Sequence, residues 1–281
     1  VGGSPTLKEA GLMVSKTWAL TMRDLKHFRR SKMEVFLLTI LPLIMLVLFG
    51  QAFNKVGSTI APTDLSGAPD YVSFLAIGLL ALTVLMTCMY SGISIVMDHR
   101  VGFLKKLVVS PVNRSSISMS RAWSAVIKAT ILSIAMFGLA ILFSVIPGLT
   151  GLTLKSGFSI TDFFGIVIIL FLLSWIFSAF IVTVSLGIEK AETISGLINL
   201  VNMPLMFISA VLLPTILMPD WLRVMADWNP LTWASDAMRQ LAFSDPAPTN
   251  ELWLDLALLS IAAAMMVAIC ITASGKLLKK K

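Results

Sequence analysis

The chain has 281 residues, 57% of them hydrophobic and 13% charged, with a mean hydropathy of +0.90 and a formal net charge of +7. A water-soluble domain carries about 25% charged residues, so this composition excludes one. Six runs contain no Asp, Glu, Lys or Arg: 35–54, 71–97, 129–154, 163–188, 193–219 and 256–275. Each reaches the roughly 20 residues that a helix needs to cross a bilayer core, and none shows the alternation of a barrel strand. The expectation is an all-α integral membrane protein with six transmembrane helices.

Residues 6–31 predict an amphipathic interfacial helix ahead of the first span. Leu7, Gly11, Val14, Trp18, Met22 and Leu25 recur at three- and four-residue steps, and Lys16, Arg23, Lys26 and Arg30 fall mostly on another face. Residues 1–34 show no signal-peptide core. The first span, 35–53, contains Pro42, which is expected to kink it or break it near its start. The second, 71–97, follows an outer loop and carries Thr83, Thr87, Tyr90, Ser91 and Ser94, hydroxyls suited to bonds between helices.

Residues 98–111 then predict a short amphipathic helix on the inner side. Val101, Leu104 and Val108 share a face, Phe103 and Leu107 lie beside it, Lys105 and Lys106 sit between, and Pro111 ends it. Such a helix either rides on lipid or docks into a soluble partner, and periodicity favours neither. The third and fourth spans, 122–146 and 161–187, are joined by an outer loop with Pro147, Gly148, Gly151 and Gly157. A short inner turn at 188–192 leads into the fifth.

The fifth span places Asn199 and Asn202 one helical turn apart, ahead of Pro204. Pro214 and Pro219 then interrupt the chain. Residues 215–245 predict an outer hairpin of short re-entrant helices, the second with Asn229 as N-cap and Pro230 at its first position. Trp221, Trp228, Trp233 and Trp253 mark an interfacial aromatic belt. The sixth span, 253–275, has a small-residue stripe of Ser260, Ala264, Ala268 and Thr272. Lys and Arg number 18 on the side of both termini and four on the other, which predicts cytoplasmic termini and a tail that contacts anionic lipid rather than nucleic acid.

Catalytic machinery is not evident in these residues. Gly148–Ser156 is not a phosphate loop, because Leu154 precedes Lys155 and no strand leads into it. His27 and His99 lack companion ligands, and Cys88 and Cys270 sit in apolar runs at no metal or redox spacing. Uncharged spans argue against ion-coupled transport. No catalytic residue, cofactor or metal is therefore expected in the chain, which reads as a transport or scaffold subunit energised from elsewhere. A membrane enzyme and a non-transporting anchor or sensor subunit are the competing classes; the enzyme would need a cluster of carboxylates, His or Cys at one interface.

Two runs carry a family resemblance: MDHRVGFLKKLVVSPVNRSSISMSR at 97–121 and PLMFISAVLLPTILMPDWLRVMADWNPLTWASDAMRQL at 204–241. They resemble the permease subunit of type 2 ABC exporters, of the daunorubicin-resistance type in bacteria and archaea. The matching positions are Pro204, Phe207, Ser209, Pro214, Pro219, Trp221, Asn229-Pro230-Leu231, Asp236 and Arg239; Ala210 stands where many relatives have Gly. The resemblance implies one ABC-2 transmembrane domain over 1–281, in a bacterial or archaeal cell membrane, exporting an amphipathic, lipid-like or drug-like substrate. It further implies two permease copies and two separate ATPase subunits that hold ATP and Mg.

By the same resemblance, 6–31 and 98–111 would meet the ATPase, with Arg100, Val101, Phe103, Leu104, Lys105, Leu107 and Val108 as coupling residues. The second and fifth spans would line the route, which puts Thr83, Thr87, Asn199, Asn202 and Met206 along it. The hairpin would act as an outer gate through Pro214, Trp221, Trp228, Asn229, Pro230, Asp236 and Arg239.

Overall fold

The computed structural model describes residues 7–57, 65–100, 114–146, 150–188, 190–243 and 250–277, and every regular element among them is helical. In chain order these are α1 (Leu7–Arg30), α2 (Lys32–Gly57), α3 (Tyr71–Arg100), α4 (Arg114–Val145), α5 (Ile160–Gly187) and α6 (Ala191–Phe207). A 3-10 turn (Thr215–Leu217) follows, then α7 (Asp220–Asp227), α8 (Pro230–Ala242) and α9 (Leu252–Leu277). Five described helices contain a segment long and apolar enough to cross a membrane: Lys32–Phe53, Tyr71–Met97, Ser118–Val145, Ile160–Gly187 and Leu252–Gly275.

Those segments correspond to the first, second, third, fourth and sixth predicted spans. The fifth run folds differently. α6 has 17 residues, a rise of about 26 Å, and the backbone leaves the helix at Ile208. α2 runs through Pro42 without a break. α3 continues to Arg100, and residues 101–111 of the predicted inner helix lie outside the described residues.

α3 is the hub. Nearly all of its spanning segment is buried, against about a fifth for those of α2 and α9. A helix that is apolar all round belongs in an interior, and in a membrane small residues let neighbours approach its backbone. Ala76, Gly78, Ala81 and Gly92 serve that purpose; a Cβ on Gly92 would collide with the Ile181 side chain of α5. The buried hydroxyl of Thr83 turns to the backbone, its Oγ1 donating to Leu79 O at 2.8 Å. α4 supplies Ser133, whose Oγ donates to Leu80 O at 3.2 Å.

α1 turns inward a face beside its apolar stripe: Thr21, Asp24 and Phe28 are buried, Met22 and Leu25 are half-buried, and Trp18 is 55% exposed. The cause is the polar start of α4. Arg121 Nη1 donates to Asp24 Oδ2 at 2.8 Å, and Thr21 Oγ1 donates to Ser120 O at 3.2 Å. The apolar edge is left outside, as suits a helix at a headgroup boundary.

The 150–159 loop closes one end of the bundle. Thr153 N donates to Ser73 Oγ at 3.0 Å, Lys155 N donates to Ala242 O at 3.0 Å, and Lys155 pairs with Asp162 at 2.9 Å. Ser159 and Asp162 form a reciprocal capping box at the start of α5.

Candidate functional site

The site is the place where α6 stops. A helix that ends inside an apolar protein exposes carbonyls that no water reaches, and each unpaired one is costly. Pro204 lies in the last turn, Ile208 N returns to Pro204 O at 2.9 Å, and Ser209 Oγ donates to Met206 O at 2.7 Å. The chain then passes through 208–214 with no regular structure to satisfy it.

Side chains from α3 and from α8 with its N-cap supply the missing partners. Arg239 on α8, 1% exposed, sends Nη1 to Ala210 O at 2.9 Å. Its Nη2 reaches Phe74 O at 3.1 Å and Val211 O at 3.4 Å. The guanidinium lies flat enough over the Phe74 ring to put Cζ 3.5 Å from the ring centroid. Tyr71 Oη, on α3, donates to Leu212 O at 2.8 Å. Asn229, at the mouth of α8, donates Nδ2 to Leu205 O at 2.8 Å. Thr232 Oγ1 accepts from Ala210 N at 3.1 Å. Gly78 makes room, because a Cβ there would stand 2.6 Å from Val211 O.

α8 can present these groups because its own start is well made. Asn229 Oδ1 accepts from Leu231 N at 3.0 Å and Pro230 occupies the first turn, as the sequence pattern predicts. Three of the Arg239 guanidinium's acceptors are backbone carbonyls, so its donors are matched to oxygens that have no hydrogens of their own. Asp236 is itself buried and accepts from Asn250 N at 3.2 Å. Among the described residues Arg239 Nε has no acceptor.

Of the residues assigned to the hairpin, Pro214, Asn229, Asp236 and Arg239 are buried and Pro230 half-buried around this break. Trp221 and Trp228 are 67% and 76% exposed on the outside of α7. A cleft of about 200 Å³ lies between α6 and α7, lined by Pro204, Leu205, Ile208, Met225 and Asn229.

The residues assigned to the route divide. Thr83 and Thr87 are buried on α3, and Asn202 and Met206 are buried on the inner face of α6, while Asn199 is exposed. Asn202 Nδ2 donates to Met86 Sδ at 3.8 Å, which brings α6 to α3. Of the coupling residues, Arg100 ends α3, and Val101, Phe103, Leu104, Lys105, Leu107 and Val108 lie outside the described residues. No three His, Cys, Asp or Glu side chains converge among the described residues.

Sequence reasoning missed Tyr71, Phe74, Gly78 and Thr232. Their signal is geometric: they meet the break across long separations, such as the 165 residues between Phe74 and Arg239.

Comparison with known proteins places this geometry in context. A family model described as ABC-2 type transporter matches residues 15–243. A protein of Cyanophora paradoxa described as a transport permease, ycf38, is 30% identical over 230 residues, covering 81% of this chain and 74% of that protein. The daunorubicin resistance ABC transporter permease protein DrrB1 of Streptomyces coeruleorubidus is 26% identical over 95% of this chain and 87% of its own. A doxorubicin resistance ABC transporter permease protein, DrrC, of Mycobacterium tuberculosis is 24% identical over 84% and 80%.

Proposed function

Because the chain belongs to the ABC-2 type transporter family, a family of membrane permeases rather than enzymes, we propose that it is the membrane-spanning half of an ATP-driven exporter. In this reading α6 and the irregular stretch after it make a sixth crossing beside the five long helices. Residues 215–245 form a hairpin that re-enters the outer leaflet. Two copies line the route, and two separate ATPase subunits carry ATP and Mg on the cytoplasmic side, where both termini lie. The assembly sits in a bacterial or archaeal cell membrane. The cargo is an amphipathic, lipid-like or drug-like molecule, a reading supported by the drug-resistance names of two relatives.

The observation that carries this reading is the tied break after α6. Irregular backbone at membrane depth persists where protein buries it or where it borders a route. Arg239, Tyr71 and Asn229 bury it on one side, and the cleft under α7 borders it on the other. The hairpin then acts as an outer gate whose position follows α6. ATP binding draws the 98–111 segments of the two copies together. The ion pair between Asp24 and Arg121 makes α1 and α4 move with them.

The test is co-expression with the cognate ATPase. Leu104→Asp combined with Val108→Asp is expected to abolish complex formation and coupled ATP hydrolysis. Unchanged pull-down and unchanged hydrolysis by the double variant would remove the coupling assignment.

A further inference from the structure

A cavity of about 490 Å³ lies between the first turns of α2 and the second half of α3, lined by Glu34, Leu38, Leu41, Met86, Tyr90 and Ser94 among others. Its size falls within the roughly 300–1,000 Å³ of small-molecule sites, and its walls are mainly apolar with a few polar groups. Those groups gather at one end. Glu34 is in the first turn of α2, and Tyr90 and Ser94 are on the closing turns of α3. Leu41 and Met86 lie about 10 Å deeper, by the rise along each helix.

Glu34 brings the only formal charge among the described lining residues. Lys128, on α4, is within electrostatic reach of Glu34 but outside the lining, with its ammonium 5.1 Å from the Phe28 ring centroid. The deep end of the cavity leads to polar groups. Met86 receives the Asn202 amide, Asn202 is 6% exposed, and its Oδ1 has no partner among the described residues. Thr87 Oγ1, also buried, is in the same state. Buried polar atoms normally have partners, so an unpaired amide oxygen beyond a flexible thioether is unusual.

We propose that this groove is a loading site for a hydrophobic organic cation, held by the Glu34 carboxylate and the Tyr90 ring, with Met86 as the movable wall between it and Asn202. A carboxylate beside an aromatic ring, over a long apolar wall, complements a positive head on an apolar body. The inference rests on the exporter reading for its direction: under that reading the polar end faces the cytoplasmic leaflet, where such a cargo partitions. α2 then does more than anchor the chain.

The test uses the full chain with its ATPase in lipid nanodiscs and two probes of one shape and opposite charge, tetraphenylphosphonium and tetraphenylborate. Saturable tetraphenylphosphonium binding is expected, weakened about tenfold by Glu34→Gln and restored by Glu34→Asp. Tetraphenylborate affinity should not fall in Glu34→Gln. Leu41→Trp, which fills the groove, should weaken tetraphenylphosphonium binding while leaving Glu34 in place.

Unchanged tetraphenylphosphonium binding in Glu34→Gln overturns the proposal. So does an equal loss of both probes, which would make Glu34 a structural partner of Lys128. Efficient disulfide cross-linking of Leu41→Cys between two copies would show that a second copy fills the groove. A phospholipid retained in native mass spectra and displaced by neither probe would show that lipid does. Pull-down of the Leu104→Asp, Val108→Asp variant tests the exporter reading separately. Its failure leaves charge-selective binding standing, and loss of charge selectivity leaves the exporter reading standing.

Discussion

α3 and the segment that opens with α6 begin as the same material, uncharged runs of 27 residues at 71–97 and 193–219. α3 becomes one unbroken helix that satisfies its own backbone and is buried on nearly every side. The other run leaves the helix after Phe207, where the 17-residue α6 ends, and leaves carbonyls 205, 210, 211 and 212 to side chains from elsewhere. The first kind of element is specified by size and packing, so volume-conserving apolar swaps are tolerated. The second is specified by named donors, and losing one exposes a buried acceptor.

The largest test of that contrast is Arg239→Met, which keeps the apolar stem and removes three carbonyl contacts. It should destabilise the purified chain by roughly 3 kcal/mol, read from denaturation in detergent. Arg239→Lys should recover only part of this, because one ammonium cannot fork to carbonyls on two elements. Equal stability of Arg239→Met and the parent would mean that the break needs no donor.

Gly78→Ala comes next, at about 2 kcal/mol, because its methyl meets a backbone oxygen that cannot rotate away. It is also the sharper comparison. It lies on α3 yet should behave like a lesion in the break, loosening the hairpin to protease before the bundle unfolds.

Asn229→Ala should cost about 1–2 kcal/mol through the lost cap and the freed Leu205 carbonyl. Transport should fall more than assembly with the ATPase, measured as flux per assembled complex. The smallest effect on stability belongs to Trp228→Ala, within about 0.5 kcal/mol because the ring is exposed. Flux per complex should nonetheless fall if the hairpin is the outer gate, and unchanged flux would remove Trp228 from it.

Much of this was legible from the chain alone, for physical reasons that also mark where reading stopped. Charge-free runs located five long helices, because a buried charge is expensive within a span; the run 71–97 matches its span to the residue, while 129–154 begins well inside α4, after Lys128, and passes its end. The Asn229–Pro230 start of α8 was legible because capping is local chemistry. Which face of α1 turns inward was not legible: apolar periodicity points to the core only in water, and beside a membrane the apolar edge can face lipid while Asp24 turns inward to Arg121. The end of the helix at Phe207 was not legible in the fifth run, because the absence of charge does not reveal where backbone bonding ends. Tyr71 and Gly78 carry no local sign of the carbonyls they serve, since those partners come from the distant end of the chain.

The ties at Leu205, Ala210, Val211 and Leu212 have a mechanical consequence. They weld the C-terminal end of α6 to α3 and α8, so α6 works as a lever with one clamped end. Pro204 sits beside the clamp and has no amide to offer the Leu200 carbonyl, which softens the rod there. The pivot therefore falls at that end, and the long arm, from Leu200 back to Ala191, sweeps the widest arc at the start of the helix.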